Sequence, residues 1–471
     1  MKEHSFLKIS LFTFTVIAFL CVGDASVTAK EPRYDAIRSE SDKAVVFLSR
    51  SKGAPQSSEN ALELSSPTAP RQSDLLRPVS DRELRNLSTR ELMTEGIDYA
   101  GRGLLAEAIR RFELVIDRQP TNREARSNLA VCLKRRGEND LAVEHLKKAI
   151  ERAPGKAELY NNLASAYLAK GDTKEALENC YRALHLKSDY AGAQYNLGHV
   201  LAMRNDHEGA LAAYQKALKL NPGNVEARRD LGDSLRELGR FEQALIEYRE
   251  AKQQGGDSLS LDLRIAKCLA ENDAESEGEA NLTEAHKLLV KLADDHPENP
   301  EVLNTLAVVL WKMNHLPEAA FVLEKTLKID PGYYRARNNL GIVLYKLKRY
   351  DQAVNVWRQA IQLKRDYPSA HFNLGCALLQ AGLSSQAASA FEESIKYDPN
   401  NGAARNNLGL AYVQLGEPQK AIEQWRQAIT IDPNLAPAFI NLGKTLQGEA
   451  IGSEPERTDN SSRSIGVKPD S

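Results

Sequence analysis

The nine residues Ala336–Leu344 read ARNNLGIVL, and Ala404–Tyr412, 68 residues further on, read ARNNLGLAY. Half that distance, 34 residues, is the period that most constrains what the chain can become. Units framed on it begin at Thr89, Arg123, Ala157, Ala191, Val225, Leu259, Pro300, Tyr334, Pro368 and Gly402, and an eleventh frame opens at Ala436. A unit this short cannot enclose its own apolar face. Neighbours have to stack before a core exists.

Positions within the unit carry separate physical jobs. The seventh and eighth are Leu followed by a small residue, as in Leu129-Ala130, Leu163-Ala164, Leu197-Gly198, Leu340-Gly341 and Leu408-Gly409. The twentieth is Ala throughout, from Ala108 to Ala353 and Ala421, which lets two antiparallel helices approach closely. The twenty-fourth is often bulky, as in Phe112, Tyr214, Tyr248, Trp357, Phe391 and Trp425, and fills the space between helices. The fifteenth favours Gly or Asn, residues that tolerate a positive φ in a turn, with Lys348 the departure. Pro at the thirty-second ends the second helix, except at Ser188, Gly256 and Arg365. Aromatic residues make up only 6% of the chain and Ala, Leu, Glu, Lys and Arg abound, a composition that favours helix over sheet.

This register closely resembles the tetratricopeptide repeat, over about residues 89–446. The resemblance implies an all-α fold: a right-handed superhelical solenoid of about ten helix-turn-helix repeats with Ala436–Leu446 as a capping helix. It also implies a concave inner surface that binds protein. The Asn-Leu-Gly units are similar to the superhelical repeats of the O-linked N-acetylglucosamine transferases, here without a catalytic domain. In those repeats the sixth position faces the groove and its asparagines grip the backbone of an extended peptide. The matching residues are Asn128, Asn162, Asn196, Asn339, Asn373, Asn407 and Asn441. An amide suits that task because it offers a donor and an acceptor together. The row is interrupted by Asp230, Arg264 and Thr305, which divides it into two exposed peptide-gripping stretches, the later one, flanked by Asn338, Phe372 and Asn406, being the stronger candidate. The family's two-carboxylate clamp needs Lys and Asn at the fifth and ninth positions; Tyr195 with His199 and Asn338 with Ile342 stand there instead.

The flanks read differently. Lys2 and Lys8 precede an apolar run from Ile9 to Gly23, with Ala25 following, the order of a secretory signal peptide over residues 1–25. Cleavage after Ala25 and export to the periplasm or the extracellular space are expected, with no membrane insertion afterwards. The alternative is an anchor at residues 9–23, although that run is short of the roughly 18 residues that span a bilayer. Residues 26–88 are rich in Ser, Pro and charge and read as a disordered linker, as does a tail at 447–471. Capping boxes of the form Ser-x-x-Glu at Ser80 and Ser88 mark where order should begin. Lys plus Arg number 62 against 64 Asp plus Glu, which leaves no net field to attract nucleic acid. Cys132, Cys180, Cys268 and Cys376 have no metal-ligand spacing and are expected as buried free thiols.

One unit breaks the rhythm, with seven extra residues within Glu271–Leu282. Asp273, Glu275, Glu277, Gly278, Asn281 and Glu284 match a calcium-loop template in spacing, but Glu is long for its third and fifth places. A solvated acidic loop is the expected form. The chain contains no phosphate loop, dinucleotide fingerprint, nucleophile elbow or HExxH motif, so neither catalysis nor a cofactor or metal is expected. The functional expectation is a non-enzymatic scaffold or assembly factor of the cell envelope, binding extended polypeptide. Its rival is a positioning subunit of an envelope polysaccharide synthesis or secretion complex.

Overall fold

The computed structural model describes residues 81–272 and 278–448. The expected signal segment, most of the linker and the tail from 449 onward lie outside the described residues. All regular structure among those described is α-helical, in 22 helices. The chain divides between Gln254 and Gly255 into two compact units.

In the first unit, α1 (Asp81–Asn86) precedes five helix pairs: α2 (Thr89–Gly101) with α3 (Leu105–Arg118), α4 (Arg123–Arg135) with α5 (Asn139–Arg152), α6 (Ala157–Lys170) with α7 (Thr173–Leu186), α8 (Ala191–Met203) with α9 (His207–Leu220), and α10 (Val225–Glu237) with α11 (Phe241–Gln253). The second unit holds α12 (Ser258–Glu271) with α13 (Gly278–Asp295), α14 (Pro300–Lys312) with α15 (Leu316–Ile329), α16 (Tyr334–Lys346) with α17 (Tyr350–Leu363), α18 (Pro368–Gln380) with α19 (Ser384–Tyr397), α20 (Gly402–Gln414) with α21 (Pro418–Ile431), and a lone α22 (Ala436–Leu446). Every first helix starts within one residue of its sequence frame. Within each unit, from α2 and from α12 onward, each helix packs on the next in order.

Two boundaries differ from the sequence reading. The linker read as reaching residue 88 gives way to helix at Asp81, in keeping with the capping box read at Ser80, and Leu84 is fully buried against Leu92, Val115 and Ala125. Arg118 anchors that turn by donating to the Arg85 carbonyl at 2.9 Å. The capping box at Ser88 is formed, Glu91 N donating to Ser88 Oγ at 3.2 Å and Ser88 N to Glu91 Oε2 at 2.7 Å. The insertion is helical from Gly278 onward, lengthening α13 to 18 residues. Gly278, Asn281 and Glu284 of the calcium template therefore lie on a helix, while Asp273, Glu275 and Glu277 fall outside the described residues.

The core follows the repeat positions. All ten alanines at the twentieth position are fully buried, among them Ala108, Ala353 and Ala421. Facing them, the eighth and twenty-fourth positions vary together. Gly96, Gly198, Gly232, Gly341, Gly375 and Gly409 lie under the rings of Phe112, Tyr214, Tyr248, Trp357, Phe391 and Trp425, and a Cβ on any of these glycines would approach its ring closer than 3.0 Å. Where the eighth position is Ala130, Ala164, Ala266 or Ala307, the twenty-fourth is Leu146, Cys180, Leu289 or Leu323 instead. Small and large are matched pair by pair, as close packing requires.

The four described cysteines are buried thiols outside any disulfide. Burial pushes the thiol of Cys132 up to about 11 and that of Cys180 up to about 12, so both stay protonated near neutrality. Lys348 occupies the turn position where the other units have Gly or Asn, and it is held at φ 62. A left-handed conformation costs a residue with a Cβ roughly 1 to 2 kcal/mol, while glycine adds about 0.5 to 1 kcal/mol of chain entropy. Lys348→Gly should therefore raise stability by about 0.5 to 1 kcal/mol in denaturant unfolding; a lowered midpoint would count against strain at this turn.

Candidate functional site

The asparagine row lies on the first helices, where the fifth and ninth positions are one turn apart and share a face with the sixth at its edge. The structure ties this row to the neighbouring repeats. Asn196 Nδ2 donates to Asn161 Oδ1 at 2.8 Å, Asn339 Nδ2 to Asn304 Oδ1 at 3.0 Å, Asn373 Nδ2 to Asn338 Oδ1 at 3.0 Å and Asn441 Nδ2 to Asn406 Oδ1 at 3.0 Å. Asn162 Nδ2 donates to Ser127 Oγ at 3.1 Å. Every acceptor is the fifth residue of the preceding unit. Phe372 offers no acceptor there, so Asn407 Nδ2 turns to Cys376 Sγ at 3.5 Å and its Oδ1 accepts from Asn406 Nδ2 at 3.1 Å. Met93 precedes Asn128 in the same way, and Asn128 makes no such bond among the described residues.

Exposure along the row is uneven. Asn339, Asn373 and Asn407 are each 3% exposed and Asn196 is 9% exposed, whereas Asn128, Asn162 and Asn441 are half-buried. The expectation of an open row therefore fails for the stretch that the sequence favours, Asn339 to Asn407. The inter-repeat bond draws those amides into the seam between first helices, and the ninth positions beside them, Ile342, Cys376 and Leu410, are apolar and buried as well.

In the first unit the same face turns from apolar, at Ile97 and Val131, to polar in its later three repeats. Its ninth positions include Ser165, His199 and Asp233, and Lys134 Nζ donates to Ser165 Oγ at 2.9 Å. Where the row is interrupted, Asp230 accepts from Tyr195 Oη at 3.0 Å and from Arg229 Nε at 2.9 Å. The Asp230 carboxylate holds the Arg229 guanidinium well above its ordinary range. Burial, aided by Asp230, raises the Tyr195 phenol. Burial also lowers His199, so its ring is neutral at neutral pH. Tyr248 Oη donates to Asp233 Oδ1 at 2.7 Å. The result is a preorganised set of donors and acceptors beside Asn162 and Asn196, with a fixed ion pair at its edge.

Sequence reasoning missed the fifth-position partners, although the dipeptides Asn161-Asn162, Asn338-Asn339 and Asn406-Asn407 announce them. Among the described residues no cluster of His, Cys, Asp or Glu could hold a metal ion. No helix among them is long and apolar enough to cross a membrane.

Comparison with known proteins bears on the same repeats. Family profiles described as tetratricopeptide repeat match residues 161–224, 195–258 and 372–436, and another of that description matches 122–188. A profile described as TPR repeat matches 343–382. No curated protein is significantly similar in sequence. Among solved structures, MamA is 28% identical over 35% of this chain and 91% of its own, with a TM-score of 0.30. A thermophilic TPR protein of Thermus thermophilus is 26% identical over 39% of this chain and 99% of its own, with a TM-score of 0.36. The pilF protein of Pseudomonas aeruginosa is 21% identical over 45% of this chain and 94% of its own, with a TM-score of 0.39. With matched repeats over 122–258 and 343–436, and helix pairs in the same register on either side, the chain is a tetratricopeptide repeat protein.

Proposed function

We propose that this protein is a non-catalytic scaffold that holds extended polypeptide on the first-helix face of its first unit, and that it acts as an assembly factor at the cell envelope. The observation that carries this reading is the asparagine row where it stays accessible, Asn128 and Asn162, with the polar ninth positions Ser165 and His199 following in the third and fourth repeats. One inter-repeat bond uses only part of an amide's capacity of about four hydrogen bonds, and the remainder suits a peptide unit whatever its side chains are. The likeness to the peptide-gripping repeats of the O-linked N-acetylglucosamine transferases rests on this row. The Arg229–Asp230 pair supplies a point where charge would be selected.

The test uses unfolded peptides in pairs, one with free backbone amides and one N-methylated at alternate residues. Many unrelated sequences should bind the full chain, and N-methylation should abolish binding because it removes the donors that the row accepts. Asn128→Ala should weaken binding by about threefold to tenfold, the worth of one neutral hydrogen bond, without lowering the unfolding midpoint, because Asn128 bonds no neighbouring repeat and Ala is the better helix former. Binding that survives N-methylation would sink the proposal.

The envelope address rests on residues 1–25. Mature protein recovered from its native cells should begin at Ser26 on N-terminal sequencing; intact Met1 in the membrane fraction would make the segment an anchor instead.

A further inference from the structure

The helix α22 has the sequence of a first helix but no second helix packed on it. Its eighth position is Gly443, and a Cβ built there meets nothing within 4 Å, whereas the six other glycines at that position each lie under an aromatic ring. Leu446, at the eleventh position, is 60% exposed, while its counterparts Leu133, Leu344 and Leu378 are 3 to 4% exposed. Phe439 and Ile440 on the same helix are also exposed. The surface that a second helix would cover is open.

The repeats themselves state what fits it. Wherever the eighth position is Gly, the twenty-fourth is Phe, Tyr or Trp; wherever it is Ala, the twenty-fourth is aliphatic or Cys. Gly443 therefore specifies an aromatic side chain. Five of the six second helices that supply one also carry small residues four before and three after it, as in Ala353-Trp357-Ala360, Ala387-Phe391-Ser394 and Ala421-Trp425-Ala428, all fully buried, while Phe112 is followed by Val115. Residues 449–471 contain no Phe, Tyr or Trp, and none of the six aromatic residues in 1–80 has a small residue at both of those places. A second copy of the described chain has no such helix to spare, because each of these rings is already enclosed in its own repeat.

We propose that α22 is the open half of an eleventh repeat, completed in trans by an amphipathic helix of another protein with the pattern small-x-x-x-aromatic-x-x-small. The docking repeats, at a new place, the interface already formed between α20 and α21. It is independent of the peptide face in the first unit.

The probe is a synthetic peptide copying Glu417–Pro433, held helical by a side-chain staple on its exposed face, because a helix of this length is marginal alone. Fluorescence anisotropy of the labelled peptide against the full chain should give saturable binding. The same peptide with Trp425→Ala should bind at least tenfold more weakly, and so should the wild-type peptide to the Gly443→Leu chain. The Gly443→Leu chain should unfold no earlier than the wild type, since its new side chain enters open space, and Asn128→Ala should leave this binding unchanged. Absence of saturable binding, or equal binding by the Gly443→Leu chain, would overturn the proposal. So would a wild-type dimer in sedimentation that Gly443→Leu dissolves, because a second copy would then be the occupant.

Discussion

Trp357→Leu should destabilise the second unit by about 2 to 4 kcal/mol, Gly341→Ala by about 1 to 2 kcal/mol, and the two together by clearly less than their sum. Trp357 is fully buried, and its Nε1 donates to the Asn338 carbonyl at 3.2 Å. Replacing it by Leu leaves a cavity and removes the indole's bond to that carbonyl, which keeps its helical partner. A Cβ on Gly341 collides with the indole, and the better helix propensity of Ala, worth about 1 kcal/mol, offsets only part of that cost. In the double variant the added methyl enters the space that the indole has left, reproducing the Ala307 and Leu323 pair of the unit before. Denaturant unfolding of the four chains closes the cycle. Additive losses would mean that the eighth and twenty-fourth positions pack independently, and the inference from Gly443 would lose its template.

The repeat register, the helix starts and the buried alanines are legible in the sequence because each follows from a local demand repeated ten times. A small residue is needed where helices touch, a left-handed residue where they turn, and an imino acid where they stop. Lys348 breaks the turn rule in sequence yet takes the same φ, since the helices on either side fix the backbone there more strongly than one residue's preference. The start of α1 was legible only through the capping box at Ser80, because six residues carry too little periodicity, and what packs the helix is the burial of Leu84 by residues up to 41 positions away. The site was partly legible. The sixth-position row is plain in the sequence, but its exposure depends on the fifth residue of the preceding unit and on the ninth of its own, a relation between repeats that single positions do not display.

That relation leads to the largest expected change in the second unit. Changing Asn339, Asn373 and Asn407 together to Ala should lower its stability by about 2 to 6 kcal/mol. Each amide lost strands a buried group, Asn304 Oδ1, Asn338 Oδ1 and Asn406 Nδ2 respectively. An unmet buried polar group costs about 1 to 3 kcal/mol, and Ala returns roughly 0.5 kcal/mol or more at each site as the better helix former. Stability in stacked repeats is close to a sum over neighbouring interfaces. The loss should therefore fall on the contacts among α14, α16, α18 and α20, appearing as faster amide exchange there while exchange in the first unit is unchanged. Peptide binding on the first unit should also persist, because Asn128, Asn162 and Asn196 are untouched. If instead the triple variant unfolds at the wild-type midpoint and loses peptide, the buried stretch opens to ligand in solution and the row in the second unit is the binding row after all.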